Sequence, residues 1–134
     1  MNIPYPISMN RYLRNFRGRT VRSSEAVKYK AAVASIATDE GITLLEGPVS
    51  VVMVLRPPKP KDAAKRAKKD PLWILGVRRI DLDNCMKVAI DALQGIAYDN
   101  DRQITDLRIR LGTPVPNGGM SIEVRPDLFW SSPV

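Results

Sequence analysis

The chain has 134 residues, of which 44% are hydrophobic and 26% are charged, and its formal net charge at pH 7 is +7. This length and composition favour one soluble globular domain. No apolar run approaches the ~20 residues needed to cross a bilayer. The N-terminus lacks the charged-then-apolar layout of a secretory signal, so we expect a cytoplasmic protein with no membrane partner.

The absence of histidine limits the chemistry. Ser-His and Cys-His nucleophile schemes are excluded, and no credible zinc site remains. Any bound metal is expected to have oxygen ligands, which favours Mg²⁺, with Mn²⁺ as an alternative. The single cysteine, Cys85, excludes an intrachain disulfide and is expected to be a packed core thiol.

The first half of the chain predicts one helix and one central strand. Ser23 or Ser24 can cap a helix that ends near Gly41. The apolar, β-branched run 49–55 is typical of a central strand, and the proline pair at 57–58 ends it.

Basic residues form two separate clusters. Eight of them lie between Lys59 and Arg79 against only Asp62 and Asp70, and a second cluster of arginines, 11–22, lies near the start. Two such patches suit a polyanion longer than a nucleotide, although a solvated surface without a partner is the alternative. Residues 59–75 are predicted to be a basic, flexible excursion, with a short helix around 63–68 as an alternative. The candidate DNA-binding residues are Arg11, Arg14, Arg17, Arg19, Lys65, Arg66, Lys68, Lys69, Arg78 and Arg79.

The second half predicts a helix followed by two strands. Asp83 can cap a helix that runs through Leu93. Alternating polar and apolar residues in 106–111 and 120–124 predict strands that the turn at 116–119 joins into a closing hairpin. The fold class is therefore α/β (α+β), a single domain over residues 1–134 with helices packed on one face of a small mixed sheet.

The acidic residues in this region suggest a metal site. Asp81 and Asp83 share a side of an extended segment, and the helix dipole stabilises their charge. We expect the following loop to return the chain so that Asp101 reaches the same pocket, with Asp99 as a second candidate. Carboxylates grouped in this way need a cation, and on a basic chain they suggest cleavage of phosphodiester bonds.

Lys87 and Asp91 follow Asp83 at intervals of four, so they line the same helical stripe and Lys87 can approach a phosphate. Each residue also has a plainer explanation as a cap, a turn former, a surface lysine or a salt-bridge partner. Those explanations account for the residues singly but poorly for the group.

This pattern resembles the RusA-type Holliday junction resolvases, crossover junction endodeoxyribonucleases of bacteria and their prophages. The matching residues are the run Arg78–Leu93, the loop Ala97–Ile104 and the N-terminal stretch Asn10–Thr20. The resemblance implies that Asp81, Asp83 and Asp101 hold catalytic Mg²⁺ and that Lys87 is an active-site lysine. Asp91 and Asp99 match acidic positions with supporting roles.

The resemblance also implies a homodimer that cuts four-way DNA junctions by paired nicks, leaves 5′-phosphates and needs no small-molecule cofactor. The sequence departs from the family pattern in the basic stretch Lys59–Leu75 and after Arg125. Two other functions remain open: a related Mg²⁺ nuclease acting on forks or flaps, and a non-catalytic DNA-binding protein. A nucleotide hydrolase is disfavoured because the chain has no glycine-rich phosphate loop.

Overall fold

The computed structural model describes residues 1–131. The strands are β1 (Asn2–Ile3), β2 (Leu13–Phe16), β3 (Arg19–Arg22), β4 (Val49–Arg56), β5 (Ile104–Leu111) and β6 (Gly119–Pro126). The helices are α1 (Met9–Tyr12), α2 (Ser24–Asp39), α3 (Ala63–Lys69) and α4 (Leu82–Leu93), with short 3₁₀ turns at Trp73–Gly76 and Asp101–Gln103.

Strand β4 is the centre of a four-stranded mixed sheet of order β1-β6-β4-β5. It pairs in parallel with β5 and antiparallel with β6. The apolar residues at every second position of β4 are fully buried, because one face of the strand points into the core: Val49, Val51, Met53 and Leu55. The predicted central strand is thus confirmed.

Helices α2 and α4 cover that face of the sheet, and each contributes one apolar stripe to the same core. Ser23 caps α2, since its Oγ accepts a hydrogen bond from the amide of Ala26 at 3.1 Å. Cys85 lies on the buried side of α4 and is fully inaccessible, which confirms a core thiol. The structure confirms a mixed α+β fold with helices packed on a mixed sheet.

The predicted closing hairpin is wrong. Strands β5 and β6 both exist, but they flank β4 instead of pairing with each other. Their connection crosses the end of β4, where Gly112 N bonds to Leu55 O at 2.8 Å and Val115 N bonds to Pro57 O at 3.0 Å. Alternating polar and apolar residues identify a strand but not the strands beside it. The sequence therefore did not reveal that β4 lies between β5 and β6.

Two local predictions also change. The cap position of α4 is Asp81, and Asp83 lies in the first turn of the helix. The basic stretch 59–75 contains helix α3, which the Asp62–Arg66 ion pair supports at 2.9 Å and which buries Ala63. Among residues 1–131, no helix is long and apolar enough to span a membrane. The predicted domain extends to residue 134, and residues 132–134 lie outside the described part.

Candidate active site

The first turn of α4 presents two solvent-facing carboxylates. Asp81 has the extended backbone of an N-cap (φ −64°, ψ 145°), yet its side chain makes no capping hydrogen bond. Asp81 and Asp83 are both exposed, and no salt bridge within residues 1–131 involves either of them. The helix dipole favours negative charge at this end. Because neither carboxylate has a salt-bridge partner among these residues, both can hold a cation without first losing a protein partner.

Backbone on either side of this pair is held in place. The amide of Ile80 donates to the hydroxyl of Tyr5 at 2.6 Å, and Arg79 donates to the carbonyl of Ile80 at 3.1 Å. On the helical side, Asn84 Oδ1 accepts a hydrogen bond from the amide of Met9 at 3.0 Å. The bonds to Tyr5 and Met9 tie the segment to the N-terminal part of the chain, which is a source of preorganisation for a site.

Lys87 lies one turn after Asp83 on the same stripe of α4 and is exposed. Asp91 follows a turn later, but its carboxylate is already engaged. Arg22 binds it with two hydrogen bonds of 2.6 and 2.7 Å, and the hydroxyl of Tyr12 donates to it as well. The Arg22 guanidinium is the main cause that lowers the pKa of Asp91, and the Tyr12 bond acts in the same direction.

Asp91 therefore anchors α1 and β3 to α4. The same region receives Lys30, whose ammonium group donates to the carbonyls of Asp91 and Gln94 at 2.8 Å each. A cation bound to the last carbonyls of a helix satisfies groups that have no partner within the helix.

The loop that carries Asp99 and Asp101 is built around Gln103. Its Oε1 accepts from the amides of Asp99 and Asn100 at 2.9 and 3.0 Å. Its Nε2 donates to the carbonyls of Leu45 and Gly47 at 2.9 and 3.0 Å. The two aspartates themselves are exposed. The backbone of the loop is fixed, while its carboxylates remain available.

This loop lies at the far end of α4 from Asp81 and Asp83. The amide of Gly95, just after the helix, bonds to Tyr98 O at 2.7 Å, and 12 helical residues span about 18 Å. No group of three or more Asp, Glu, Cys or His residues within residues 1–131 is arranged to hold a metal. Within residues 1–131, Asp81 and Asp83 thus both lie at the start of α4, whereas Asp101 lies near the opposite end of that helix.

The topology explains this separation. Because β5 runs parallel to β4, the chain must return to the end of the sheet where β4 begins, and Ile104 pairs there with Val49. Asp101 precedes β5 and so belongs to that end. The segment before α4 binds Tyr5, which lies against Gly118 at the other end of β4.

The oxygen donors at the start of α4 fit a hard divalent ion. Carboxylates are the side chains through which proteins bind Mg²⁺, and an ion held by one or two of them keeps several waters. Asp81 and Asp83 supply such a pair, while the remaining positions would go to water, to phosphate oxygens or to acids from outside this chain.

The candidate DNA-binding residues divide into free and engaged groups. Three of them use their guanidinium groups within the chain: Arg11 pairs with Glu25, Arg66 with Asp62, and Arg79 with the carbonyl of Ile80. The others are exposed, with Arg14 and Arg17 stacked on the ring of Phe16: Arg14, Arg17, Arg19, Lys65, Lys68, Lys69 and Arg78. The positive surface is therefore concentrated on the β2–β3 hairpin, on α3 and just before α4.

Sequence reasoning missed three features of this region. Arg22 belongs to Asp91 rather than to the free basic cluster. The contacts of Gln103 were also missed, although Asn100 and Gln103 have the spacing of a capping box, a signal present in the sequence. The exposed ring of Phe16 had no periodic signal to single it out.

Comparison with known proteins identifies the family. The model of the family described as Endodeoxyribonuclease RusA matches residues 4–125. The chain belongs to the RusA endodeoxyribonuclease family. It is 33% identical over 121 residues to the crossover junction endodeoxyribonuclease RusA of Escherichia coli (strain K12), a match that covers 89% of this chain and 86% of that protein. It is 32% identical over 120 residues, with the same coverage, to the crossover junction endodeoxyribonuclease rusA of Enterobacteria phage 82.

The RusA match includes every candidate catalytic, metal and DNA-binding residue, and it ends before the segment after Arg125. The family resemblance that the sequence suggested is thereby confirmed, and so is the expectation of an enzyme. Membership in the RusA family does not assign roles to individual side chains, which rest on the geometry above.

Proposed function

We propose that this chain is a Mg²⁺-dependent endonuclease that resolves four-way DNA junctions by two symmetric nicks. The proposal rests above all on one observation: Asp81 and Asp83 lie exposed at the start of α4 and form no salt bridge with any residue that the structure describes, and Lys87 follows on the same stripe. RusA relatives named crossover junction endodeoxyribonucleases support junctions as the substrate.

Each residue has a distinct task in this scheme. Asp81 and Asp83 hold the divalent ion, and Lys87 neutralises the charge that builds up on the phosphoryl oxygens. The ion, when bound, supplies Lewis-acid activation of the phosphate and a more acidic water. In-line attack of a water oxygen on phosphorus would form the new P–O bond as the bond to the 3′ oxygen breaks; the water would lose a proton to solvent, the 3′ oxygen would take one up, and a 5′-phosphate would remain. Mn²⁺, another oxygen-seeking ion, should substitute for Mg²⁺.

We further propose that the enzyme works as a homodimer, since one acidic site makes one nick and resolution needs two. A twofold dimer matches the symmetry of a junction. It also gives Asp101 a role that a single chain does not allow. Placed against a second copy, Asp101 can complete the acid set begun by Asp81 and Asp83. The exposed side chains of Leu72 and Leu75 are candidates for the subunit contact.

The free basic residues on the β2–β3 hairpin and on α3 would hold the backbones of the junction arms. Such contacts position the DNA without reading its sequence. Asp91 and Asp99 would act indirectly: Asp91 fixes the hairpin to α4, and Asp99 is part of the loop that presents Asp101.

The direct test is cleavage of a synthetic four-way junction by purified protein, with and without Mg²⁺. We expect Asp81→Asn and Asp83→Asn to lower the rate at least 100-fold while junction binding survives or tightens, because less negative charge repels the phosphates. Asp39→Asn, at the end of α2, is the matched control and should keep full activity. Fork and linear duplex substrates at equal concentration separate a junction resolvase from a fork or flap nuclease. Wild-type protein that cleaves none of them would support a non-catalytic DNA-binding protein.

Mixed dimers test whether Asp101 acts across the subunit contact. Co-expressed Asp81→Asn and Asp101→Asn chains should form dimers with one intact site, which nick junctions without resolving them. The Asp81→Asn and Asp83→Asn mixture is the control, because it leaves no intact site under either arrangement. An inactive first mixture would rule out the shared site but leave the nuclease proposal standing.

A further inference from the structure

The tip of the β2–β3 hairpin carries an exposed aromatic ring with two cations close to it. Phe16 is 47% exposed. The guanidinium carbons of Arg14 and Arg17 each lie 5.2 Å from the centre of its ring. This distance is within the range of a cation–π contact. A ring held in this way projects from the surface instead of joining the core.

The turn places the ring at the extremity of the hairpin. Phe16 pairs with Arg19 as the last pair of the ladder. The two residues between them, Arg17 and Gly18, have φ angles of 51° and 76°, the left-handed conformation of a tight two-residue hairpin. Arg14 lies two residues before Phe16 and so on the same face of β2. The tip therefore presents a half-exposed aromatic ring together with two positively charged side chains.

The base of the hairpin is fastened to the helix that carries the candidate catalytic residues. Arg22, the last residue of β3, binds Asp91, and Ser23 N donates to Tyr12 O at 2.8 Å. Asp91 lies on the stripe that carries Asp83 and Lys87, eight residues or about 12 Å from Asp83 along the axis. A nucleic acid bound across this stripe would meet the hairpin.

We propose that Phe16 is a stacking platform for an unpaired nucleobase, with Arg14 and Arg17 bound to the adjoining phosphates. This inference rests on the proposed function and specifies how the site tells a branch point from uniform duplex. Bases inside a duplex hide their faces in the stack, whereas a base at a branch can swing out and expose one. An aromatic side chain on a basic surface suits such a base, because every base has a π-face and carries a phosphate beside it.

A contact between two copies of the chain is the main competing use of an exposed ring. The positive charge at the hairpin tip disfavours such a contact between two copies. A twofold contact through Phe16 would bring two sets of Arg14, Arg17 and Arg19 together, and like charges in an interface oppose association. The same arginines favour a polyanion.

The test compares Phe16→Ala, Phe16→Leu and Phe16→Trp in the full chain, in EDTA so that nothing is cleaved. The probes are a four-way junction with 2-aminopurine at the branch and a linear duplex with the same base in the same sequence. Wild type should raise the 2-aminopurine emission of the junction as the base leaves the DNA stack. Phe16→Ala and Phe16→Leu should lose this rise and bind the junction about tenfold more weakly, with duplex binding changed less than twofold. Phe16→Trp should bind the junction like wild type.

Phe16→Leu is the decisive variant because it keeps an apolar side chain and removes only the aromatic face. A Phe16→Leu variant that binds the junction as tightly as wild type would overturn the inference. An equal loss of affinity for the junction and for the duplex would also overturn it. So would a change of oligomeric state measured by sedimentation, which would assign Phe16 to a subunit contact. The emission signal needs neither metal nor cleavage. A wild-type protein that unstacks the branch base but never cuts would therefore overturn the proposed nuclease function alone.

Discussion

Asp91 holds several segments of the chain against the helix that carries the candidate active site. Its carboxylate accepts from Arg22 and Tyr12, and its backbone carbonyl accepts from Lys30. Three separate segments of the chain thus meet at one residue of α4. The stripe that presents Asp83 and Lys87 depends on this anchor for its position relative to the hairpin.

The Asp91 anchor gives stability a defined pH dependence. The pKa of Asp91 is lowered from its ordinary value of 3.8, chiefly by Arg22. Its contribution is therefore complete above pH ~5 and is lost as the pH falls through the folded pKa. Asp91→Asn should lower the free energy of unfolding by about 1–2 kcal/mol at neutral pH. In urea unfolding experiments, the difference in unfolding free energy between wild type and Asp91→Asn should become smaller below pH 4. A difference that does not change with pH would mean that the charge pair contributes nothing.

Cys85 provides a second test at the level of one residue. It is fully buried on α4, and burial raises the pKa of its thiol to about 12. Only the thiolate reacts readily, so we expect no reaction with a thiol reagent in the folded protein at pH 8. The same reagent in urea should modify one thiol per chain. Fast labelling of the folded protein would show that α4 leaves the core transiently.

Among the elements, the turn between β5 and β6 is the most constrained. Gly118 has φ +69°, and a Cβ there would lie 2.9 Å from Tyr5 and 3.1 Å from the backbone of Pro58. Tyr5 in turn holds the amide of Ile80, just before Asp81. The turn is thereby connected to the candidate metal ligands.

Gly118→Ala tests this connection, with Gly41→Ala as the matched control. Gly41 has a similar φ of +70°, but a Cβ added there would meet nothing within 4 Å. The control substitution should lower the free energy of unfolding by about 1–2 kcal/mol, because alanine is strained in the left-handed backbone conformation. Gly118→Ala should cost at least 1 kcal/mol more because of crowding, and it should lower junction cleavage, which the control should not. If both variants lost the same unfolding free energy, Tyr5 would be shown to move aside freely.

Local sequence patterns predict some of these elements but not how they are arranged. Periodicity and capping signals located α2, β4 and α4, because each depends on nearby residues. The pairing of β5 with β4, and hence the end of the sheet at which Asp101 lies, depends on a long-range crossover that no local pattern records. The same limit explains why local patterns locate Asp81 and Asp83 at the start of α4 but do not locate Asp101, whose position depends on that crossover.

At the scale of the whole molecule, charge is distributed unevenly. The net charge is +7, and the candidate DNA-binding residues that remain free lie on the hairpin, on α3 and before α4. The exposed acids Asp81 and Asp83 lie just after the last of these groups. A polyanion would be attracted to the positive surface as a whole, while the acidic pair repels phosphate unless a cation is bound.

Salt dependence measures which basic groups contact DNA. Each phosphate neutralised adds about 0.9 to the slope of log affinity against log salt concentration. Lys68→Gln with Lys69→Gln on α3 should therefore reduce the slope for a four-way junction by roughly 1–2. Lys28→Gln with Arg110→Gln removes the same charge from α2 and β5, and should leave the slope nearly unchanged. If both pairs lowered the slope equally, net charge rather than a defined surface would govern binding. If neither did, α3 would not contact the DNA.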